Sequence, residues 1–163
     1  MEPSKDCFVE YRRQMEIGAV PKAYKGILDY VWRLKSHFGK QYPEYAAGNI
    51  YPGYMDMTYF PLFPRKLKSR QLKIAVVFLH DAFRFEAWLS ANNRQNQKKF
   101  SELFRKADWD KCRMNPDNPD SIVETILEAN PDFTHPDSLT KKIETSTLAF
   151  IKDLETYLSK QRG

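Results

Sequence analysis

Arg84, Glu86, Trp88 and Ser90 occupy alternate positions of one short segment, interleaved with Phe83, Phe85, Ala87 and Leu89. Side chains of a strand point alternately to its two faces. A strand over residues 83–89 therefore turns an apolar face to a core and gathers a guanidinium, a carboxylate and an indole on the other. His80 precedes this strand at a hairpin turn, Asn93 and Arg94 follow it, and Asp56 from an earlier strand is a candidate to join the same polar face. Asp56, His80, Arg84, Glu86, Trp88, Asn93 and Arg94 thus form the candidate binding set. Acids, cations, a histidine and an aromatic in one place suit a small polar ligand, a protein partner, or acid–base chemistry. The same alternation also describes an ordinary solvated sheet face. There Arg84 and Glu86 pair with cross-strand neighbours for ~0.2–1 kcal/mol each, His80 and Asp81 are turn residues, and Asp56 accepts loop amides near Gly53.

No residue is assigned a catalytic role. GxGxxG, the P-loop, GxSxG and HExxH are all absent from the sequence. His37, His80 and His135 are too scattered to suggest a metal site, and no metal ligand or cofactor is assigned. A hydrolase or nuclease-like enzyme using Asp56, His80 and Glu86 remains as an alternative. A metal-dependent nuclease, however, wants clustered carboxylates and commonly an E-x-K pair, and Glu86 is followed by Ala87 and Trp88.

A second feature is the basic run 65–70, with Arg65, Lys66, Lys68 and Arg70 as candidate phosphate contacts. Basic loops beside exposed aromatics are the raw material of nucleic-acid binding, which is a further alternative. Against it stands a modest net charge of +5, from 26 Lys and Arg and 21 Asp and Glu. The stretch 114–140 carries Asp117, Asp120, Glu124, Glu128, Asp132 and Asp137 with no Lys or Arg, so a surface-wide basic footprint is not expected. Such polarity can steer an anionic partner or let two copies dock.

The elements that position these residues follow from periodicity. The spacing predicts a helix over Lys5–Ile17, with Phe8, Tyr11 and Met15 on one stripe and Gly18 as its stop. A second helix starts near Pro21, carries Tyr24, Ile27, Leu28, Val31, Leu34 and Phe38, and closes at Gly39. Strands are expected over 54–60, 72–79 and 83–89, with Pro61 and Pro64 ending the first and a long basic connection following it. Asn92 or Asn93 caps a helix running to about Ala107. Residues 109–114 are expected as a fourth strand and 115–119 as a turn. From Asp120, the apolar residues Ile122, Val123, Ile126 and Leu127, with Ser121 and Glu124 at capping-box spacing, predict another helix. A last helix starts around Pro136 and carries Ile143, Phe150, Ile151, Leu154 and Leu158.

The expected fold is α+β: a short antiparallel meander of three or four strands packed with about five helices. It forms one domain over 1–163, helical over 1–40, a β-meander over 54–90 and helical again over 92–160. The 163 residues suffice for one core, and eleven Phe, nine Tyr and three Trp imply that rings fill much of it. Cys7 and Cys112 sit in no metal or disulfide spacing, the N-terminus lacks a signal-peptide core, and no apolar run approaches the ~20 residues of a bilayer span. A cytoplasmic protein without membrane attachment is expected.

The stretch YPGYMDMTYF at 51–60, followed by LKIAVVFLH at 72–80 and FRFEAWL at 83–89, resembles the central signature of a family of uncharacterised bacterial proteins. The segments around Tyr24, Ser121 and Phe150 are similar as well, so the resemblance covers nearly the whole chain. It implies a bacterial, cytosolic, stand-alone domain and carries over no activity, cofactor or site residue. The leading expectation is a binding or interaction module that uses the polar face of strand 83–89 and its adjacent loops.

Overall fold

The structure, a computed structural model, describes residues 1–107 and 109–161. Helix α1 (Lys5–Ile17) and helix α2 (Ala19–Gln41) meet at Gly18, whose φ of 83° is a left-handed conformation that glycine adopts without strain. Strand β1 (Met57–Leu62), the one-turn helix α3 (Arg65–Lys68), strands β2 (Leu72–Leu79) and β3 (Arg84–Ala91), helix α4 (Arg94–Ala107), strand β4 (Val123–Ala129) and helix α5 (Pro136–Ser159) follow. The strands are antiparallel and lie in the order β1-β2-β3-β4, so the chain is an α+β fold built on a sequential sheet.

Register decides which side chains share a face. Ile74 opposite Leu89, Val76 opposite Ala87 and Phe78 opposite Phe85 point to the helices. They join Val31, Leu34 and Phe38 of α2 and Ile143, Ile151 and Leu154 of α5 in the main core. Each such side chain contributes about 1.5–3 kcal/mol when fully buried. Phe78 is the hub of the aromatic packing, within 5.5 Å of the rings of Phe83, Phe85 and Phe133. The opposite, outer face carries a smaller cluster of Ala75, Val77 and Trp88, packed by Met57, Tyr59 and Leu79.

Several expectations need correction. The segment after Asp120 is strand β4, paired with β3, and not a helix. Its pairing slips at Phe85/Glu86, where Glu86 faces Ile126 but Phe85 faces Glu128. The bulge leaves Leu127 as an additional residue, and Val123 and Leu127 both reach the core. Ser121 and Glu124 do touch, Oγ donating to Oε2 over 3.0 Å, but they hold the entry of a strand and cap no helix. Residues 109–114 form no strand; the segment makes one bridge, Arg113 to Glu124, while the Trp109 ring stacks on Tyr157.

The first strand begins later than expected and runs through Pro61. A proline is tolerated because β1 is the sheet edge, where no ladder hydrogen bond is asked of its missing N–H. That edge is partly covered by residues 48–51, through Gly48 N–H to Pro61 O and a reciprocal pair between Tyr51 and Tyr59. The basic connection is also not a plain loop: α3 sinks Leu67 into the core and leaves Arg65, Lys66 and Lys68 exposed. No helix among the described residues is long and apolar enough to cross a membrane.

Candidate functional site: the outer face of the sheet

Strand β3 distributes its side chains as alternation requires, with Phe85, Ala87 and Leu89 inward and Arg84, Glu86, Trp88 and Ser90 outward. The outward set is not solvated, however. Glu86 is 1% exposed and Trp88 7% exposed. A buried carboxylate is tolerable only when its oxygens are satisfied, and those of Glu86 are. Oε1 accepts from Arg84 Nε and from Arg113 Nη2, each at 2.8 Å, and Oε2 accepts from the Trp88 indole N–H at 2.7 Å. Glu124, opposite Trp88 on β4, is 1% exposed as well. Its Oε2 accepts from Ser121 Oγ at 3.0 Å and Asn118 Nδ2 at 3.2 Å. Its Oε1 lies 2.8 Å from Arg113 Nη2, close enough for an ion pair though without the alignment of a hydrogen bond. Arg113 thus bridges two buried carboxylates. The network fixes the Trp88 ring and ties residues 113–124 to the sheet.

Beside this network the outer face opens into a cleft of about 320 Å³. Its floor is Met57, Tyr59, Ala75 and the uncovered part of Trp88, and its rim carries Lys73, Asn92, Asn93, Arg94 and Asp120. The rim is built by the start of α4. Asn93 Oδ1 accepts the Asn96 N–H at 2.8 Å, which caps the helix whose start supplies Asn93, Arg94 and Gln97 to the lining. Gln97 holds the strand end to the loop, accepting from Ala91 N–H at 2.8 Å and donating to Pro119 O at 3.2 Å. Ser90 Oγ donates to the Asp120 carbonyl and closes the far wall.

The residues singled out in the sequence therefore divide. Trp88, Asn93 and Arg94 line the cleft, and Arg84 and Glu86 lie next to it in the ion network. Asp56 and His80 are elsewhere. Thr58 pairs with Phe78 on the helix-facing side, and His80 follows it there: its Nε2 lies 2.9 Å from Thr58 Oγ1 and its ring packs on Phe78 and Tyr24. Thr58 Oγ1 donates to Pro52 O at 2.7 Å, so the His80 Nε2 carries the proton and donates. Burial lowers the His80 pKa, and the neighbouring Asp56 and Asp81 offset this in part. Asp56 closes a turn by accepting the Tyr54 N–H at 2.8 Å, which with the Met57 amide holds its carboxyl below the usual range. Asp56, His80 and Glu86 are not brought together, since Glu86 points to the opposite face. Among the described residues no group of three or more His, Cys, Asp and Glu side chains is placed to hold a metal ion.

The basic run divides too. Arg70 is occupied inside the fold, its Nη2 donating to Leu158 O at 2.7 Å and to Gln161 O at 3.1 Å, where it satisfies the end of α5. Sequence reasoning missed Lys73, Tyr59 and Asn92 in the cleft and Arg113 and Glu124 in the network. Lys73 left a signal, being the one charged residue within LKIAVVFL. Arg113 and Glu124 left none while residues 120–128 read as a helix.

No curated protein and no solved structure matches this chain. A family model does match, over residues 4–158, nearly the whole length. The chain belongs to the family described as a domain of unknown function, DUF7000.

Proposed function

We propose that the protein is a binding module whose outer sheet face takes a small ligand combining a flat ring with an anionic group. The observation that carries this is the cleft of about 320 Å³ over Trp88, which joins an apolar, aromatic floor to a rim holding Lys73, Arg94 and the first turn of α4. Small-molecule sites are typically clefts of this kind, mostly apolar with a few convergent polar groups. A ring covers the floor of Met57, Tyr59 and Ala75. The anion meets two cations and the amide end of a helix, where negative charge is favoured. Asp120 and Asn92 are left to accept from, or donate to, the ligand's remaining polar atoms. Arg84, Glu86, Arg113 and Glu124 serve as the support that keeps Trp88 in place.

The module acts in a bacterial cytoplasm as one domain over residues 1–163. A single main core running from Tyr30 to Leu158 supports the domain assignment, and two free cysteines, Cys7 exposed, fit a reducing compartment. A thermal-shift screen of flat-ring carboxylates and phosphates on the full chain tests the proposal. At least one compound should raise the melting midpoint, and Lys73→Glu and Arg94→Glu should each remove that rise while leaving the ligand-free midpoint near its starting value. A panel without a single binder, or binding that survives both charge reversals, would refute it.

A further inference from the structure

Helix α1 spends apolar side chains on solvent. None of its residues is buried, and Phe8 is 62%, Tyr11 63% and Met15 47% exposed. These three lie on one stripe of the helix, and the element α1 packs against is α2, across the Gly18 corner. A helix of this length is marginal in water without packing along an apolar face. More apolar surface lies where the first turns of α2 meet the end of the sheet: Val20, Tyr54, Met55 and Phe83 are all exposed there. The Tyr24 ring sits 5.5 Å from His80, and the His80 N–H donates to Asp56 O at 3.0 Å, which ties α2 to that end.

We propose that α1 is a dimerisation arm, whose Phe8–Tyr11–Met15 stripe packs antiparallel against the same stripe of a second copy of this chain. Area is the first argument. An aromatic side chain presents about 150–250 Å², so Phe8 and Tyr11 each leave roughly 100–150 Å² uncovered. With Met15 the stripe leaves a few hundred Å² of apolar surface on one side of α1, as much as the largest patch usual on a monomer. That is about half of the ~800 Å² per partner of a standard interface, the polar flanks of the helix supplying the remainder.

Charge is the second. Lys5, Arg12 and Arg13 balance Asp6, Glu10 and Glu16, and the pairs Arg12–Glu16 at 3.0 Å and Arg13–Glu10 at 2.7 Å close on the helix itself. A helix for a membrane surface or for nucleic acid would carry an excess of Lys and Arg; a neutral one does not repel its own copy. The third argument is symmetry. Phe8 and Met15 flank Tyr11 at nearly equal spacing, so an antiparallel pair about Tyr11 sets each Phe8 against the other copy's Met15. It also brings Glu10 of each copy toward Arg12 and Arg13 of the other. Two-fold contacts of this kind are the commonest in soluble oligomers.

Sedimentation velocity on the full chain across a concentration series tests this. The wild type should sediment at twice the monomer mass of 19.2 kDa. The variant carrying Phe8→Glu, Tyr11→Glu and Met15→Glu should sediment as a monomer that still melts cooperatively, with a midpoint that no longer rises with protein concentration as the dimer's does, because these side chains support nothing in the monomer core. Tyr11→Arg alone should weaken dimerisation roughly tenfold or more, and Trp32→Glu, elsewhere on the surface, should leave the dimer intact. A wild type that stays monomeric throughout, or a triple variant that stays dimeric, would overturn the proposal. So would a monomeric wild type that binds vesicles of anionic phospholipid, which would assign the stripe to lipid.

Discussion

Replacing Arg113 by methionine removes the cation that, among the described residues, Glu86 and Glu124 share, while keeping most of the side chain's apolar stem. Both carboxylates are 1% exposed, whereas Arg113 is 47% exposed. Breaking a fully buried pair by deleting one partner costs about 3–5 kcal/mol, because the remaining charge is left uncompensated. An exposed pair contributes about 0.2–1 kcal/mol. Arg113 lies between these limits. Glu86 keeps Arg84 and the Trp88 indole, and Glu124 keeps Ser121 and Asn118, but among the described residues Glu124 Oε1 then has no cation near it. We therefore expect Arg113→Met to cost about 2–3 kcal/mol, or a fall in melting temperature of roughly 4–12 °C for a chain of this size. Urea unfolding of the wild type, Arg113→Met, Glu124→Gln and the double variant measures it as a cycle. Neutralising Glu124 in the Arg113→Met background should recover part of the loss, with a coupling of about 1–3 kcal/mol. A loss below about 0.5 kcal/mol, or strict additivity, would mean that water already hydrates the carboxylates and that the network does not hold the sheet face.

Gly53 has φ +76°, and a Cβ there would lie 1.9 Å from the Met57 carbonyl oxygen. Gly53→Ala should cost about 1–3 kcal/mol in urea unfolding through backbone strain and the clash together, and a neutral result would show that this turn can rearrange. Burial holds the His80 pKa below its ordinary value of 6.5. The stability this gives is complete above pH 6.5 and is lost as pH falls through the lower native pKa. His80→Gln should flatten the pH dependence of unfolding free energy in that window, and an unchanged slope would contradict the assignment. Asp132 is held at about 2, first by the Thr134 hydroxyl and then by His135. Carboxyl-detected NMR titration should find that pKa, and Thr134→Val should move it toward the usual aspartate range.

The parts of the fold that were legible were those where local pattern and tertiary environment agree. Strands β2 and β3 are bounded by turn residues and carry alternating or continuous apolar side chains, and Asn93 announces α4. Strand β4 was illegible for a specific reason. Val123 and Leu127 reach the core at a spacing of four residues, which fits one face of a strand as well as one face of a helix, and Ile122 is buried beside Val123, so no alternation marks the strand. The Ser121–Glu124 contact strengthened that impression, since the hydrogen bond that caps a helix has the same spacing as this one. The outer face of β3 is legible from alternation, but its burial is not: Arg113 and Glu124 convert a solvated face into a supported one, and neither segment carries a local pattern that places it beside β3. Asp56 and His80 were lost for a simpler cause. The first strand starts at Met57, so Asp56 lies in the turn before it, and Thr58 with His80 belongs to the helix-facing side.

The most direct measurement of the cleft assignment is nitrogen-15 NMR of the tryptophan indoles during titration with a binder from the ring-and-anion panel. Trp88 lies at the cleft, with its N–H held by Glu86, whereas Trp32 is exposed on α2 and Trp109 is packed on Tyr157. Binding over Trp88 should move that indole signal and the amide signals of residues 92–97, leaving Trp32 and Trp109 in place. Shifts centred on Trp32 or Trp109, with Trp88 unmoved, would contradict the assignment of the outer sheet face as the binding face.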